Sequence, residues 1–219
     1  MLRPHLLSRV CAVAALTIAA PAAAQQPAIY SDRDLVHPVF ATHGMVATQE
    51  ATATRIGLEV LQAGGNAVDA AATVAFALAV TLPQAGNLGG GGFMVVHDAA
   101  RGETVAIDYR EMSGAAAFRD MYLDEAGAAD PEKSRYSGLA VGVPGTVAGM
   151  ALALERYGTL SLAEALAPAI ELAADGITVS ADLSDSLKAA ATRLQRWPSA
   201  AISFMLSARS ACTRISPGW

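Results

Sequence analysis

The sequence predicts a layered α+β fold from three observations. Several segments show the three- and four-residue apolar spacing of amphipathic helices, and two short apolar runs separated by a polar break indicate a β-hairpin. No repeat of fixed period is visible, which argues against a solenoid. The 219 residues are 53% hydrophobic and 16% charged, which excludes a disordered chain. Helices that flank a hairpin are typical of layered mixed folds.

The N-terminal residues predict an export signal. Arg3 and Arg9 precede an apolar run over 10–20, and small residues follow at 22–24. We therefore expect residues 1–24 to be a secretory signal peptide, with an uncleaved anchor as the alternative, and a periplasmic or secreted mature protein. The run has about half the length of a bilayer span, and no membrane span is expected in the mature chain.

Charge and composition exclude several classes of partner. The formal net charge is -5 at pH 7, and no basic patch is visible, so we expect no nucleic-acid partner. The four histidines show no metal-ligand spacing, and neither a metal nor another cofactor is expected. Because Cys11 lies in the predicted signal, Cys212 has no partner for an intramolecular disulfide in the mature chain.

Two helices are predicted in the first half of the chain, after an extended lead-in over 25–42. The first covers 50–63, with Thr48 as its cap and two glycines as its stop. Asn66 can cap the second, with Asp69 three residues further on. The residues from 70 to 82 are apolar on nearly all sides, so this helix should be buried.

The predicted hairpin pairs residues 93–97 with residues 104–110. In the second strand alternation places Ile107 and Tyr109 on one face, and Asp108 and Arg110 on the other. The four glycines at 89–92 precede a strand and lack the Gly-Lys-Ser/Thr ending of a phosphate loop. We therefore expect these glycines to serve a close approach of backbone to backbone.

The second half of the chain is predicted to be mainly helical. Residues 114–136 suggest a helical piece and a polar loop around Asp130, and a helix should follow from Thr146 to Tyr157. Ser161 and Glu164 form a capping box for the next helix, in which Pro168 predicts a kink or a restart. This helix should stop at Gly176, and a last helix capped by Ser180 should run to about Gln195.

Arg110 is the candidate ligand-binding residue. A guanidinium presents a rigid fork of donors that matches a carboxylate, so an arginine at the end of an apolar strand can anchor an acidic substrate. The alternative is a simple ion pair with Asp108, two residues away on the same face. No serine lies in a G-x-S-x-G elbow.

Five sequence blocks occur in a characteristic order. They are GMVA at 44–47, GGNAVDAA at 64–71, GGGGFM at 89–94, DYRE at 108–111 and VPG at 143–145. In this the chain resembles the gamma-glutamyltransferase family, also called gamma-glutamyltranspeptidase. The resemblance implies an N-terminal-nucleophile hydrolase with αββα layers, made as a precursor that cuts itself into a large and a small subunit.

The resemblance also implies an activity and a role for Arg110. The family transfers the gamma-glutamyl group of glutathione to amino acids, peptides or water through a Thr acyl-enzyme, and the arginine at position 110 holds the α-carboxylate of the substrate. The sequence contains no Thr-Thr-His-type start of a small subunit. We therefore expect residues 43–204 to be part of a large-subunit domain without the nucleophile, inactive by itself, and 205–219 to be a divergent tail of a truncated or frame-shifted product. The alternatives are an exported module that binds glutamyl compounds and a non-catalytic fragment.

Overall fold

A computed structural model describes residues 40–200. The predicted signal peptide, nearly all of the lead-in and the tail over 205–219 therefore lie outside the described residues. All the elements described below belong to the compact unit that begins at His43. Within residues 40–200, none of the helices combines the length and the apolar character that crossing a membrane requires.

The described chain combines helices with one antiparallel hairpin, as the apolar patterns predict. In chain order the elements are α1 (Ala51–Gln62), α2 (Ala67–Thr81), β1 (Phe93–Asp98), β2 (Glu103–Asp108), α3 (Pro131–Tyr136), a 3-10 turn (Gly138–Ala140), α4 (Thr146–Tyr157), α5 (Leu162–Asp175), α6 (Ala181–Leu194) and a helical turn at Pro198–Ala200. In the hairpin Phe93 lies opposite Asp108, and Asp98 lies opposite Glu103.

The start of α1 differs from the prediction in its capping residue. The carboxylate of Glu50, and not the hydroxyl of Thr48, accepts hydrogen bonds from the backbone N–H groups of Thr52 and Ala53, at 2.9 and 2.8 Å. Thr48 instead donates its hydroxyl proton to the carbonyl of Glu50 at 2.7 Å. A glutamate is long enough to fold back on the first turn, where its charge also suits the helix dipole.

Helix α2 is buried on most sides, as its composition predicts. Its N-terminus carries the capping box that the spacing of Asn66 and Asp69 indicates: Asn66 Oδ1 accepts from the N–H of Asp69, and Asp69 Oδ2 accepts from the N–H of Asn66. Asp69 is fully buried and also reaches the loop that joins α4 to α5. A charged group in the core therefore links two parts of the chain.

Helix α5 does not restart at Pro168, which corrects one of the two expected outcomes, and a kink there stays a prediction. The helix continues from Leu162 to Asp175 with Pro168 inside it. Ala165 and Ala169, on either side of the proline, are both buried in the main core cluster, and their packing holds the two halves in one helix. The capping box of Ser161 with Glu164 and the stop at Gly176, where φ is 86°, are as predicted.

The segment from 114 to 136 was only partly predicted. The helical piece is α3 at the end of this segment, and the preceding residues form turns with an isolated bridge between Leu123 and Ala129. Asp130 is the N-cap of α3, accepting from the N–H groups of Glu132 and Lys133, and Pro131 is the first helical residue. Proline is favoured there because its missing N–H would have no partner in the helix.

Apolar side chains of α2 connect the described elements. Their buried residues form three clusters, which join α2 to α4 and α5, to α1, and to β2 and α4. The buried members are Ala72, Phe76, Met150, Leu154, Ala165 and Ala169 in the first, Ala53, Val74 and Ala77 in the second, and Val68, Ile107 and Ala153 in the third. The inner face of the hairpin is thus fixed on a helical core, and this fixes the end of β2.

Candidate functional site

Three loops meet at the end of β2. The carbonyl of Gly90 accepts hydrogen bonds from the N–H groups of Gly145 and Thr146 at 2.8 and 3.1 Å, which attaches the glycine run to the start of α4. Asn87 Oδ1 strengthens this junction by accepting from the N–H of Gly90 and from the hydroxyl of Thr146, both at 2.9 Å. The glycine run and the start of α4 are therefore held together by contacts far apart in sequence.

The glycine run allows the backbone to approach closely, as predicted from its place before a strand. A Cβ atom at Gly91 would overlap the N–H of Glu111 and the carbonyl of Tyr109, and it would lie 2.7 Å from the carbonyl carbon of Arg110. A side chain at position 91 would therefore push the end of β2 away. This run supports the backbone of the residues around Arg110.

Tyr109 fixes the end of β2 on α4. Its N–H donates to the carbonyl of Gly92 at 3.0 Å, and its hydroxyl donates to the carbonyl of Phe93 at 3.3 Å. Its ring packs against Gly149 of α4, and burial raises the pKa of the phenol above its ordinary value. The backbone directly before Arg110 is thereby anchored.

The contact between Tyr109 and α4 makes Gly149 sensitive to substitution. Gly149→Ala normally favours a helix, but here the new Cβ would overlap the Cγ atom of the Tyr109 ring. We expect the overlap to dominate and to lower the free energy of unfolding by about 1 to 3 kcal/mol, measured by denaturant titration.

Gly138→Ala is the control for this variant. A Cβ at Gly138 meets nothing within 4 Å, and we expect a change of less than about 0.5 kcal/mol. A Gly149→Ala protein as stable as the unchanged chain would show that the contact of Tyr109 with α4 is looser than described.

Arg110 lies just beyond β2 and not within it, which corrects the predicted strand end at 110. The strand ends at Asp108, whose Oδ1 accepts from the backbone N–H of Arg110 at 3.0 Å. The ion pair of the Arg110 guanidinium is with Glu111, at 3.3 Å from Nη2 to Oε1, and not with Asp108 as the alternative interpretation supposed. Asp108 thus accepts from the backbone N–H of Arg110, and Glu111 pairs with the side chain of Arg110.

The guanidinium of Arg110 is accessible to a ligand. The side chain is 57% exposed, and its Cζ atom lies 5.8 Å from the centre of the Phe93 ring. Glu111 engages Nη2, and no other hydrogen bond within residues 40–200 uses the remaining N–H donors of the fork. The geometry suits an acidic ligand that approaches in the plane of the guanidinium.

The contacts around Arg110 were visible only in part from the sequence. Alternation placed Asp108 beside it, but Asn87, Phe93 and Gly149 reach the site through pairings that single-sequence patterns do not encode. Within residues 40–200, no group of three or more His, Cys, Asp or Glu side chains is arranged to hold a metal ion.

Comparisons with known proteins agree on one family. The sequence model of gamma-glutamyltranspeptidase matches residues 53–213 and so extends into the predicted divergent tail. The chain is 52% identical over 193 residues to the glutathione hydrolase proenzyme of Escherichia coli, covering 86% of the chain and 33% of that protein. The chain thus spans about a third of this relative's length.

Solved structures show the same similarity in the fold. The crystal structure of Helicobacter pylori gamma-glutamyltranspeptidase is 45% identical and superposes with a TM-score of 0.72, covering 74% of this chain and 47% of that one. A cephalosporin acylase from Bacillus halodurans is 28% identical with a TM-score of 0.61, covering 77% and 32% of the two chains. Solved structures of a gamma-glutamyltranspeptidase and of a cephalosporin acylase are therefore both similar in fold to this chain.

Proposed function

Because the chain belongs to the gamma-glutamyltranspeptidase family, we propose that its described residues form the part of a gamma-glutamyl-transferring enzyme that grips the donor substrate. The donors are glutathione and related gamma-glutamyl compounds, and the acceptors are amino acids, peptides or water. The observation that carries the proposal is the accessible guanidinium of Arg110 on a backbone fixed by three loops. The αββα layers of an N-terminal-nucleophile hydrolase belong to the same proposal.

Arg110 binds the α-carboxylate of the glutamyl group in this proposal. A bidentate pair between a guanidinium and a carboxylate fixes both the position and the orientation of the substrate, because two parallel hydrogen bonds leave little rotation. The amide carbonyl of the gamma-glutamyl group then lies at a fixed distance from Arg110.

The nucleophile in the proposed enzyme is a threonine at the N-terminus of a small subunit that is not part of this sequence. Its hydroxyl adds to the gamma-glutamyl amide, the amine of the donor leaves with a proton, and an acyl-enzyme ester results. Water or an acceptor amine then takes the acyl group and frees the hydroxyl. The large-subunit residues hold the substrate in position during both steps. We propose that they are inactive without the small subunit. We also propose that the precursor is periplasmic or secreted.

The test compares two substrates in a complete enzyme. A chimera can be made in which residues 43–200 replace the aligned segment of the Escherichia coli proenzyme. We expect it to release aniline from gamma-glutamyl anilide with kcat/KM about 10- to 150-fold above that for 4-aminobutyryl anilide, which lacks only the α-carboxylate.

The unmodified proenzyme is the control for folding and for the chemistry of the small subunit. Equal kcat/KM values for the two anilides in an active chimera would contradict the proposal, because the carboxylate would then have no partner. A chimera that fails to cut itself into two subunits is separated from this outcome by gel electrophoresis before the kinetics are measured.

A further inference from the structure

We propose that Phe93 is a positioning residue that holds the guanidinium of Arg110 in the orientation needed for the substrate carboxylate. The inference rests on the proposed function and adds to it a residue that acts through Arg110. The guanidinium carbon lies 5.8 Å from the centre of the Phe93 ring, within the range of an attractive cation–π contact.

The register of the hairpin brings these two side chains together. Phe93 lies directly opposite Asp108, so the two side chains project from one face of the sheet, and Arg110 follows Asp108 by two residues. The residue that would lie opposite Arg110 is Gly91, which has no side chain. The arginine can therefore lie diagonally across the hairpin, over the ring, at a separation that long and aromatic side chains span.

The ring restrains the guanidinium without using its donors. A guanidinium whose flat face lies over a ring keeps its edge available to a carboxylate, so a cation–π contact and carboxylate binding can act together. The neighbouring carboxylates do not replace the ring. Asp108 accepts from the backbone N–H of Arg110, and Glu111 takes Nη2 alone. Phe93 thus limits the rotation of the side chain and leaves most of the fork free.

Phe93 lies on the exposed face of the hairpin, which it shares with Val95. Phe93 is 61% exposed as a residue, although phenylalanine is among the residues most often buried. It contributes to none of the buried clusters among the described residues. Its contact with Arg110 supplies a reason for an aromatic side chain at this place.

The test replaces Phe93 in the chimera described above. We expect Phe93→Leu to raise KM for gamma-glutamyl anilide about two- to fivefold, with kcat within a factor of about two, because the loss concerns binding of the carboxylate. Phe93→Tyr should leave KM at the value of the unchanged chimera, since tyrosine keeps the aromatic face. Stepwise fluorination of the Phe93 ring should raise KM in the order of increasing fluorine content, as the negative face of the ring weakens.

Val95→Ala is the matched control. Val95 lies on the same face of β1 and is 72% exposed, and opposite it stands Ala106. KM should not change in this variant. An unchanged KM in Phe93→Leu, together with a raised KM in Arg110→Ala, would overturn the role of Phe93 and leave the proposed function intact. An unchanged KM in Arg110→Ala itself would overturn the proposed function.

Discussion

Replacing Asp69 with alanine is expected to lower the free energy of unfolding by about 3 to 5 kcal/mol, a large part of the stability of a typical domain. Asp69 has no exposed surface, and four donors converge on its carboxylate. They are the N–H groups of Asn66, Thr159 and Leu160, at 2.8, 2.7 and 3.0 Å, and the hydroxyl of Thr159, at 2.7 Å. Denaturant titration followed by circular dichroism measures the loss.

The size of the effect follows from the donors that the substitution leaves behind. An alanine at position 69 provides no acceptor, so the backbone N–H groups of Thr159 and Leu160 lose their partner on the carboxylate side, and each orphaned donor is costly. Asp69→Asn is the milder variant. Asparagine keeps one acceptor oxygen. Its NH2 group, however, would replace the second carboxylate oxygen and would point its hydrogens at N–H and O–H donors.

The pH dependence of the free energy of unfolding is a second measurement of the contribution of Asp69. Burial by itself raises the pKa of Asp69, but hydrogen bonds from Leu160, Asn66 and Thr159 outweigh it and hold the pKa below its ordinary value. Because the folded pKa is the lower one, the stabilisation is present above the unfolded pKa of about 3.9 and is lost as the pH falls through the folded pKa. Asp69→Asn should remove this part of the acid-dependent slope.

Asp185→Ala is the matched control for the Asp69 variants. Its carboxylate is 75% exposed and pairs with Lys188 at 2.9 Å on the surface of α6. Exposed pairs of this kind contribute little, and we expect a change within about 0.5 kcal/mol. Similar losses for Asp69→Ala and Asp185→Ala would show that the buried network does not carry the stability assigned to it.

Asp69 also shows how far sequence patterns extend. The spacing of Asn66 and Asp69 was enough to predict a capping box, because both residues lie in one turn of helix. The hydrogen bonds of the same carboxylate to Thr159, 90 residues away, depend on the packing of α2 against α4 and α5, which no local spacing contains. Local contacts were therefore predictable, and contacts across the core were not.

The errors of prediction have the same physical origin. A restart of the helix at Pro168 was one expected outcome because proline removes a backbone donor, but the helix is continuous, and Ala165 and Ala169 on either side of the proline are buried. Glu50 took the capping role expected of Thr48 because the longer side chain reaches two N–H groups of the first turn. Tertiary packing in the one case and a competing side chain in the other outweighed the local preference.

The candidate site was predicted less completely than the helices. The rigid fork of Arg110 and its place near the end of a strand made it a candidate, and the resemblance to the family gave it a role. The strand end at Asp108, the ion pair with Glu111 and the ring of Phe93 depend on the geometry of the hairpin and its loops. Those contacts decide which donors of the guanidinium remain accessible.

Replacing Arg110 with alanine in the chimera is expected to raise KM for gamma-glutamyl anilide about 10- to 150-fold, the range that loss of one charge-assisted carboxylate contact allows. The side chain is 57% exposed and lies outside the buried clusters, so the fold should survive the change. Unfolding titration of the same protein, with a change within about 0.5 kcal/mol, checks that survival.

The Arg110 variants separate charge from geometry. Arg110→Lys keeps the positive charge but presents a single ammonium, which cannot bind both carboxylate oxygens with parallel hydrogen bonds, so KM should lie between those of the unchanged and alanine proteins. With 4-aminobutyryl anilide, which has no carboxylate, Arg110→Ala should have almost no effect. A loss of the same size for both anilides would contradict carboxylate recognition, because the arginine would then act on the reaction or on the fold in general. The difference between the two losses is the coupling free energy between guanidinium and carboxylate.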